Sequence, residues 1–178
     1  EISRSVASWE NVLREDEDIK KEEIILKKGH QLRPQDIGLL AALGRAKIKV
    51  FKRPVIAIIS TGDEIIPVNQ EPKPGQVRDI NNFSLGAAVK QMDCIPFYSG
   101  IIKDDEKRLR DELQKSLENP EVDLVLISGG SSVGTRDYTL DVLNSLGPPG
   151  VLVHGLALKP GKPTILSLNK QKVFIGLP

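Results

Sequence analysis

From Pro54 onward the chain alternates between two hydrophobic rhythms. Short, nearly unbroken apolar runs at residues 55–60, 95–101 and 124–128 read as strands buried on both faces. Between them, apolar residues recur at three- and four-residue steps. Leu85, Val89 and Met92 predict a helix over residues 82–92, and Leu109, Leu113 and Leu117 predict another over residues 105–117. Asp104 is a candidate cap for that second helix, with Asp105 and Glu106 complementing its N-terminal dipole. A further helix is expected over residues 138–146, capped by Asp137 and stopped at Gly147. Strand–helix alternation of this kind predicts βαβ units and a parallel sheet covered on both faces. After Gly150 the rhythm changes. Residues 151–153, 164–168 and 173–175 are strand-like, and residues 169–171 suit a hairpin connection.

Residues 1–53 follow neither rhythm. Residues 11–28 are dense in charge, and a solvated surface segment is the plain reading. Residues 33–44 predict a short helix, with Pro34 in the first turn, Ile37, Leu40 and Ala41 on one face and Gly44 at the stop. Residues 48–51 predict a short strand. The segment has too few apolar residues for a core of its own, so the expected division is an α+β arm, 1–53, and an α/β domain, 54–178.

Composition narrows the function. The 178-residue chain carries a net charge of +1, so no global basic field argues for nucleic acid. No apolar run approaches the ~18 residues of a membrane span. The single Cys94 excludes an intrachain disulfide and fits a reduced, cytoplasmic setting. The chain stops just after a strand-like run, KVFIGLP, which leads us to expect a fragment.

Candidate chemistry sits where strands end. Ser60-Thr61-Gly62-Asp63-Glu64 follows the first strand: Gly62 permits a tight turn and close backbone approach, and Thr61 offers a hydroxyl. Asp63 and Glu64 suit Mg²⁺, which takes one or two carboxylates plus substrate phosphate oxygens; a turn-holding Asp is the alternative. Ser128, Gly129, Gly130, Ser131, Ser132 and Gly134 follow the third strand and present hydroxyls and backbone N–H groups, the chemistry of an anion cradle. Neither Walker nor Rossmann spacing is met. Asp137 stands between a cap and a metal or substrate ligand. Lys159 and Lys162 in KPGKP form a rigid basic turn suited to phosphate. Asp79 and Asn81 precede a helix, with capping as the alternative reading, and His154 is read as structural.

Taken in order, STGDE (60–64), DIN (79–81), GIIKDD (100–105), SGGSSVG (128–134), DYT (137–139) and KPGKP (159–163) resemble the molybdopterin molybdenumtransferase family, MoeA and the gephyrin E domain. IGLLAALG (37–44) upstream and Gly-Leu-Pro (176–178) at the end extend the resemblance over nearly the whole chain. STGDE and SGGxS are shared with wider molybdopterin-binding domains, including CinA-like and MogA-like proteins. DYT, KPGKP and the arm select the MoeA branch.

The resemblance implies a three-layer α/β sandwich around a mostly parallel sheet, in a cytoplasmic homodimer. It implies an enzyme that inserts molybdate into adenylylated molybdopterin, uses Mg²⁺ and releases AMP, with a molybdopterin adenylyltransferase as partner. Carried over by position, Glu64, Asp104, Asp137 and Lys159 are catalytic candidates, and Glu64, Asp137 and Asp18 are metal candidates. Thr61, Gly62, Asp63, Asn81, Ser128, Gly129, Gly130, Ser131, Ser132, Gly134 and Lys162 are candidates for holding the pterin. Asp16 stands where the family keeps a glycine ahead of Asp18. The alternatives are another molybdopterin-domain enzyme (adenylyl transfer, or CinA-like hydrolysis) and a gephyrin-like scaffold. Parts of the family lie outside this chain, so retained binding with weak or absent turnover is expected.

Overall fold

The computed structural model describes residues 4–129 and 138–178. The chain divides into two compact units, Glu1–Phe51 and Lys52–Pro178.

The second unit is built on a six-stranded sheet. In chain order its main elements are β1 (Val55–Thr61), β2 (Ile65–Ile66), β3 (Val77–Arg78), α2 (Asn81–Gln91), β4 (Ile95–Ile102), α3 (Glu106–Glu118), β5 (Leu124–Ser128), α4 (Tyr138–Ser145), β6 (Pro149–His154), β7 (Ile165–Asn169) and β8 (Lys172–Leu177); α1 (Pro34–Ala42) lies in the first unit. Strand order across the sheet is β4-β1-β5-β8-β7-β6. The β4–β1, β1–β5 and β5–β8 pairings are parallel, whereas β7 pairs antiparallel with both β8 and β6. Only β7 is reversed, so the expected mostly parallel sheet is what forms.

Alternation within β1 sets the layers. Ala57 and Ile59 point into one core with Leu109, Leu113 and Leu117 of α3, Val142 and Leu143 of α4, and Phe174 of β8. Ile56 and Ile58 point the other way, against Val89 of α2. The result is the expected three-layer α/β sandwich. Helix periodicity placed the leucines of α3 correctly, because their spacing puts all three on one buried stripe. Two polar ties close the layers. Lys172 donates to the carbonyls of Ser116 (2.6 Å) and Asn119 (2.7 Å) at the end of α3. The buried Asn169 donates to the carbonyls of Leu143 (2.7 Å) in the last turn of α4 and Gly147 (2.8 Å) just after it.

Two capping expectations change. Asp105, not Asp104, caps α3, accepting the Arg108 N–H at 2.8 Å. That leaves Asp104 in the loop ahead of the helix. The expected cap of α4, Asp137, lies outside the described residues.

In the first unit the helix forms as α1 with Pro34 in its first turn, and Gly44 closes it at φ +70°. The expected strand at residues 48–51 does not form, and no strand occurs among the described residues of this unit, so it is not α+β. The expected apolar face is not buried: Ile37 and Ala41 are exposed, Leu40 is half-buried, and the one buried residue of α1 is Asp36. The Asp36 carboxylate accepts from the Arg33 backbone N–H (2.9 Å) and Arg33 Nε (3.1 Å), and pairs with His30 Nε2 (2.9 Å). These bonds, above all those from Arg33, hold it well below the usual carboxylate range.

Candidate functional site

The connection from β1 through α2 returns to β4 on one side of the sheet, whereas the connection from β5 through α4 runs to β6 on the other. Adjacent parallel strands whose crossovers diverge leave a crevice outside their carboxyl ends, and open α/β sheets bind ligands there. Here the strands are β1 and β5, and the residues at the crevice are those of the first and fourth motifs.

The floor is tightly built. A Cβ on Gly129 would lie 2.2 Å from the Thr61 carbonyl oxygen, and Gly129 has φ +100°, so this position requires glycine for both space and conformation. Gly62 (φ +149°) leaves room for the Glu64 carboxylate, whose two oxygens lie 2.8 Å from where a Cβ would stand. Asn81 Nδ2 donates to the Ser128 hydroxyl, joining the start of α2 to the end of β5. Ser60 donates to the buried Asp79 carboxylate at 2.9 Å, and Asp79 also accepts the Asn82 N–H at 3.1 Å. Asp79 is therefore the residue that docks α2 against the end of β1. In the middle of this floor the Thr61 hydroxyl is buried and has no hydrogen-bond partner among the described residues. A buried hydroxyl of this kind calls for a partner.

The carboxylates collect on the neighbouring rim. The backbone after Gly62 is pinned by the short parallel β2–β3 ribbon, where the Val77 N–H donates to the Glu64 carbonyl at 2.9 Å. Asp63 is occupied: its carboxylate accepts the Asp104 N–H at 3.2 Å. Lys103 Nζ donates to the carbonyls of Asp63 (2.6 Å) and Ile65 (3.3 Å), clamping the loop after β4 to the loop after β1. Partial burial and the nearby Asp63 and Glu64 carboxylates push the Asp104 carboxyl up from its ordinary value. The rim thus concentrates negative charge that a cation would relieve. Among the described residues, no three His, Cys, Asp or Glu side chains converge to form a metal cluster.

The remaining candidates lie elsewhere. The basic turn carrying Lys159 and Lys162 joins β6 to β7, at the same end of the sheet as the crevice. It is closed by the Leu156 N–H to the Lys162 carbonyl (2.8 Å) and by Thr164 Oγ1 to the Gly161 carbonyl (2.7 Å). β6 stands three strand positions from β5, roughly 14 Å at ~4.8 Å per step, and no hydrogen bond among the described residues joins this turn to the crevice. Asp18 belongs to the first unit, where it is exposed in a bend. Asp16, at the family's glycine position, has φ +66°. Gly130, Ser131, Ser132, Gly134 and Asp137 lie outside the described residues.

Sequence reasoning passed over Lys103 and left Asp79 between a site motif and a helix cap. Lys103 carries no signal in sequence because its partners are backbone carbonyls some forty positions away. A signal for Asp79 existed: an aspartate just ahead of a predicted helix, opposite a serine that ends a buried strand.

Residues 57–178 match the family described as "Probable molybdopterin binding domain", and residues 1–44 match the "MoeA N-terminal region (domain I and II)". The chain is 35% identical over 171 residues to the molybdopterin molybdenumtransferase of Haemophilus influenzae, covering 95% of this chain and 41% of that protein. It is 37% identical over 157 residues to the Nostoc molybdopterin molybdenumtransferase, covering 86% of this chain and 35% of that one. It therefore spans well under half the length of these curated relatives. A solved MoeA molybdopterin biosynthesis protein from Pyrococcus horikosii superposes with a TM-score of 0.75 at 41% identity, covering 90% of this chain and 39% of the other. No helix among the described residues is long and apolar enough to cross a membrane. With the domain match spanning the whole sheet and the MoeA region ahead of it, the chain belongs to the molybdopterin molybdenumtransferase (MoeA) family.

Proposed function

We propose that this chain binds molybdopterin in the crevice at the carboxyl ends of β1 and β5, and works in molybdenum cofactor biosynthesis as part of a molybdopterin molybdenumtransferase. The reaction is insertion of molybdate into adenylylated molybdopterin with release of AMP. The observation that carries the reading is the buried Thr61 hydroxyl, without a hydrogen-bond partner among the described residues, in a glycine-lined floor flanked by a rim of carboxylates.

In this reading the phosphate of the substrate lies on the floor between Thr61 and Ser128, with Asn81 orienting the Ser128 hydroxyl. Lys159 and Lys162 supply positive charge from the β6–β7 turn. Glu64 and Asp104 would hold Mg²⁺, since two carboxylates plus phosphate oxygens satisfy that ion and the crowded charge on the rim favours it. Bound there, the ion offsets negative charge at the phosphoanhydride. Lys103 and Asp63 keep the two loops together, so Glu64 and Asp104 are preorganised instead of being drawn in by the substrate. The dithiolene sulfurs that receive molybdate belong to the substrate, so a chain with only Cys94 suffices. A homodimer, a molybdopterin adenylyltransferase as the donor of substrate, and a cytoplasmic setting complete the proposal from family membership.

The test is AMP release from adenylylated molybdopterin with and without molybdate. In a full-length protein carrying these residues, molybdate-dependent AMP is the expected result. Equal release without molybdate contradicts the insertion reading and favours a CinA-like hydrolase.

A further inference from the structure

On the α2 side of the β4 edge lies a pocket of about 520 Å³ that the crevice chemistry does not use. Phe83 from α2 and Tyr98 from β4 line it, with Pro67, Val68 and Asn69 from the loop after β2 and Asn82 at the start of α2. Phe83 and Tyr98 remain 58% and 50% exposed, an unusual state for two large rings sharing one concavity. The position of Tyr98 is set by Gly86: a Cβ there would stand 2.1 Å from the Tyr98 hydroxyl oxygen, so the ring lies against bare helix backbone.

The polar lining is selective. Among the described residues no lysine or arginine lines the pocket, and its one acid there, Asp79, is engaged by Ser60 and Asn82. These residues offer phosphate no counter-charge. Asn82 is 92% buried (8% exposed), and its carbonyl oxygen has no hydrogen-bond partner among the described residues. A flat heterocycle with ring N–H groups fits this combination: its faces stack on aromatic rings and its edge meets carboxamides. The pocket also adjoins the crevice. Asn82 follows Asn81, which holds Ser128, and Asp79 links the pocket to the end of β1.

We propose that this pocket holds the pterin ring of the substrate, stacked on Phe83 and Tyr98, while the phosphate end lies in the crevice on the other side of the first turn of α2. The proposal rests on the molybdopterin reading above and assigns the ring its place.

The test uses neopterin, a pterin without phosphate, titrated into the chain while its own fluorescence is followed. Neopterin binds the unaltered chain, and Phe83→Ala weakens it roughly tenfold, the scale of one lost ring–ring stack. Phe83 is exposed, so that variant folds; circular dichroism checks this. Gly86→Ala, which displaces the Tyr98 ring, weakens binding too, whereas Tyr98→Phe, which keeps the ring, does not. Unchanged neopterin affinity in folded Phe83→Ala and Gly86→Ala overturns the proposal. So does a Phe83-dependent affinity for adenosine that exceeds the one for neopterin. Intact molybdopterin is titrated in parallel. If it binds independently of Phe83, the pocket assignment fails and the functional reading survives; if it does not bind at all, the functional reading fails first.

Discussion

The two units of this chain are ordered by different physics. The second is organised by non-local burial: β1 lies between β4 and β5, with one face in a core shared with α3 and α4 and the other against α2. The first has a single buried residue among those described, and it is a carboxylate, Asp36. Many of its large apolar side chains, Leu13, Ile24 and Phe51 among them, are exposed. What shapes it is local. Glu10, Glu17 and Glu23 each accept a backbone N–H from three residues earlier, at Ala7, Arg14 and Lys20. Arg14 lies 5.1 Å above the Trp9 ring, and Lys28 lies 5.6 Å above that of Phe51. Local bonds of this kind contribute about 1 kcal/mol each and depend on charge, whereas a packed core is cooperative. A site that must hold two loops in register belongs on the second kind of scaffold, and the crevice lies there.

Glycine substitutions sharpen the contrast most. Gly129→Val meets both a positive φ and the Thr61 carbonyl, and should destabilise the second unit by on the order of 4 kcal/mol in urea unfolding. Gly44→Ala in the first unit meets a positive φ but open space, and should cost about 1 kcal/mol. Equal effects would erase the distinction.

Core truncation comes next. Leu113→Ala should cost about 3 kcal/mol, because Leu113 is fully buried between α3 and the sheet. Leu40→Ala in α1 should cost under about 1 kcal/mol, since Leu40 is only half-buried. Thermal unfolding of both variants reads the difference.

The rim offers a smaller effect with an opposite sign. A carboxyl raised above its unfolded value makes the fold more stable at low pH, and that advantage is lost as pH rises through the folded pKa. Asp104 is such a group. Asp104→Asn should therefore raise the melting temperature at neutral pH, and Lys103→Ala should weaken molybdopterin binding by releasing the clamp on both loops. Reduced stability in Asp104→Asn would show that the rim is not strained by charge.

The smallest effect belongs to α1. Asp36 is depressed, so its contribution is fully present above the unfolded carboxylate value near ~3.9 and is lost as pH falls further. Amide protection of α1 should fall below about pH 4, before the sheet of the second unit responds. Simultaneous loss would mean that the two units unfold together.

Legibility followed the same division. The sheet and its helices could be read because burial imposes a period, as in Leu109, Leu113 and Leu117. The first unit misled because Ile48, Val50 and Phe51 look like a strand but find no sheet to join, and all are exposed. At the site, Gly62, Gly129 and Glu64 could be found because their chemistry is local to a motif. The cap of α3 was misplaced by one residue, since adjacent Asp104 and Asp105 are equivalent until the helix start is known. Lys103 and the Phe83–Tyr98 pocket arise from contacts between segments distant in the chain, which no local pattern records.

The central claim is that molybdopterin lies across the carboxyl ends of β1 and β5. Amide hydrogen exchange of the chain with and without molybdopterin tests it most directly. New protection at Thr61–Glu64, Lys103–Asp104 and Ser128–Gly129, with the exchange of residues 4–33 unchanged, is the predicted result. Protection confined to the first unit, or none at these loops at saturating ligand, would contradict it.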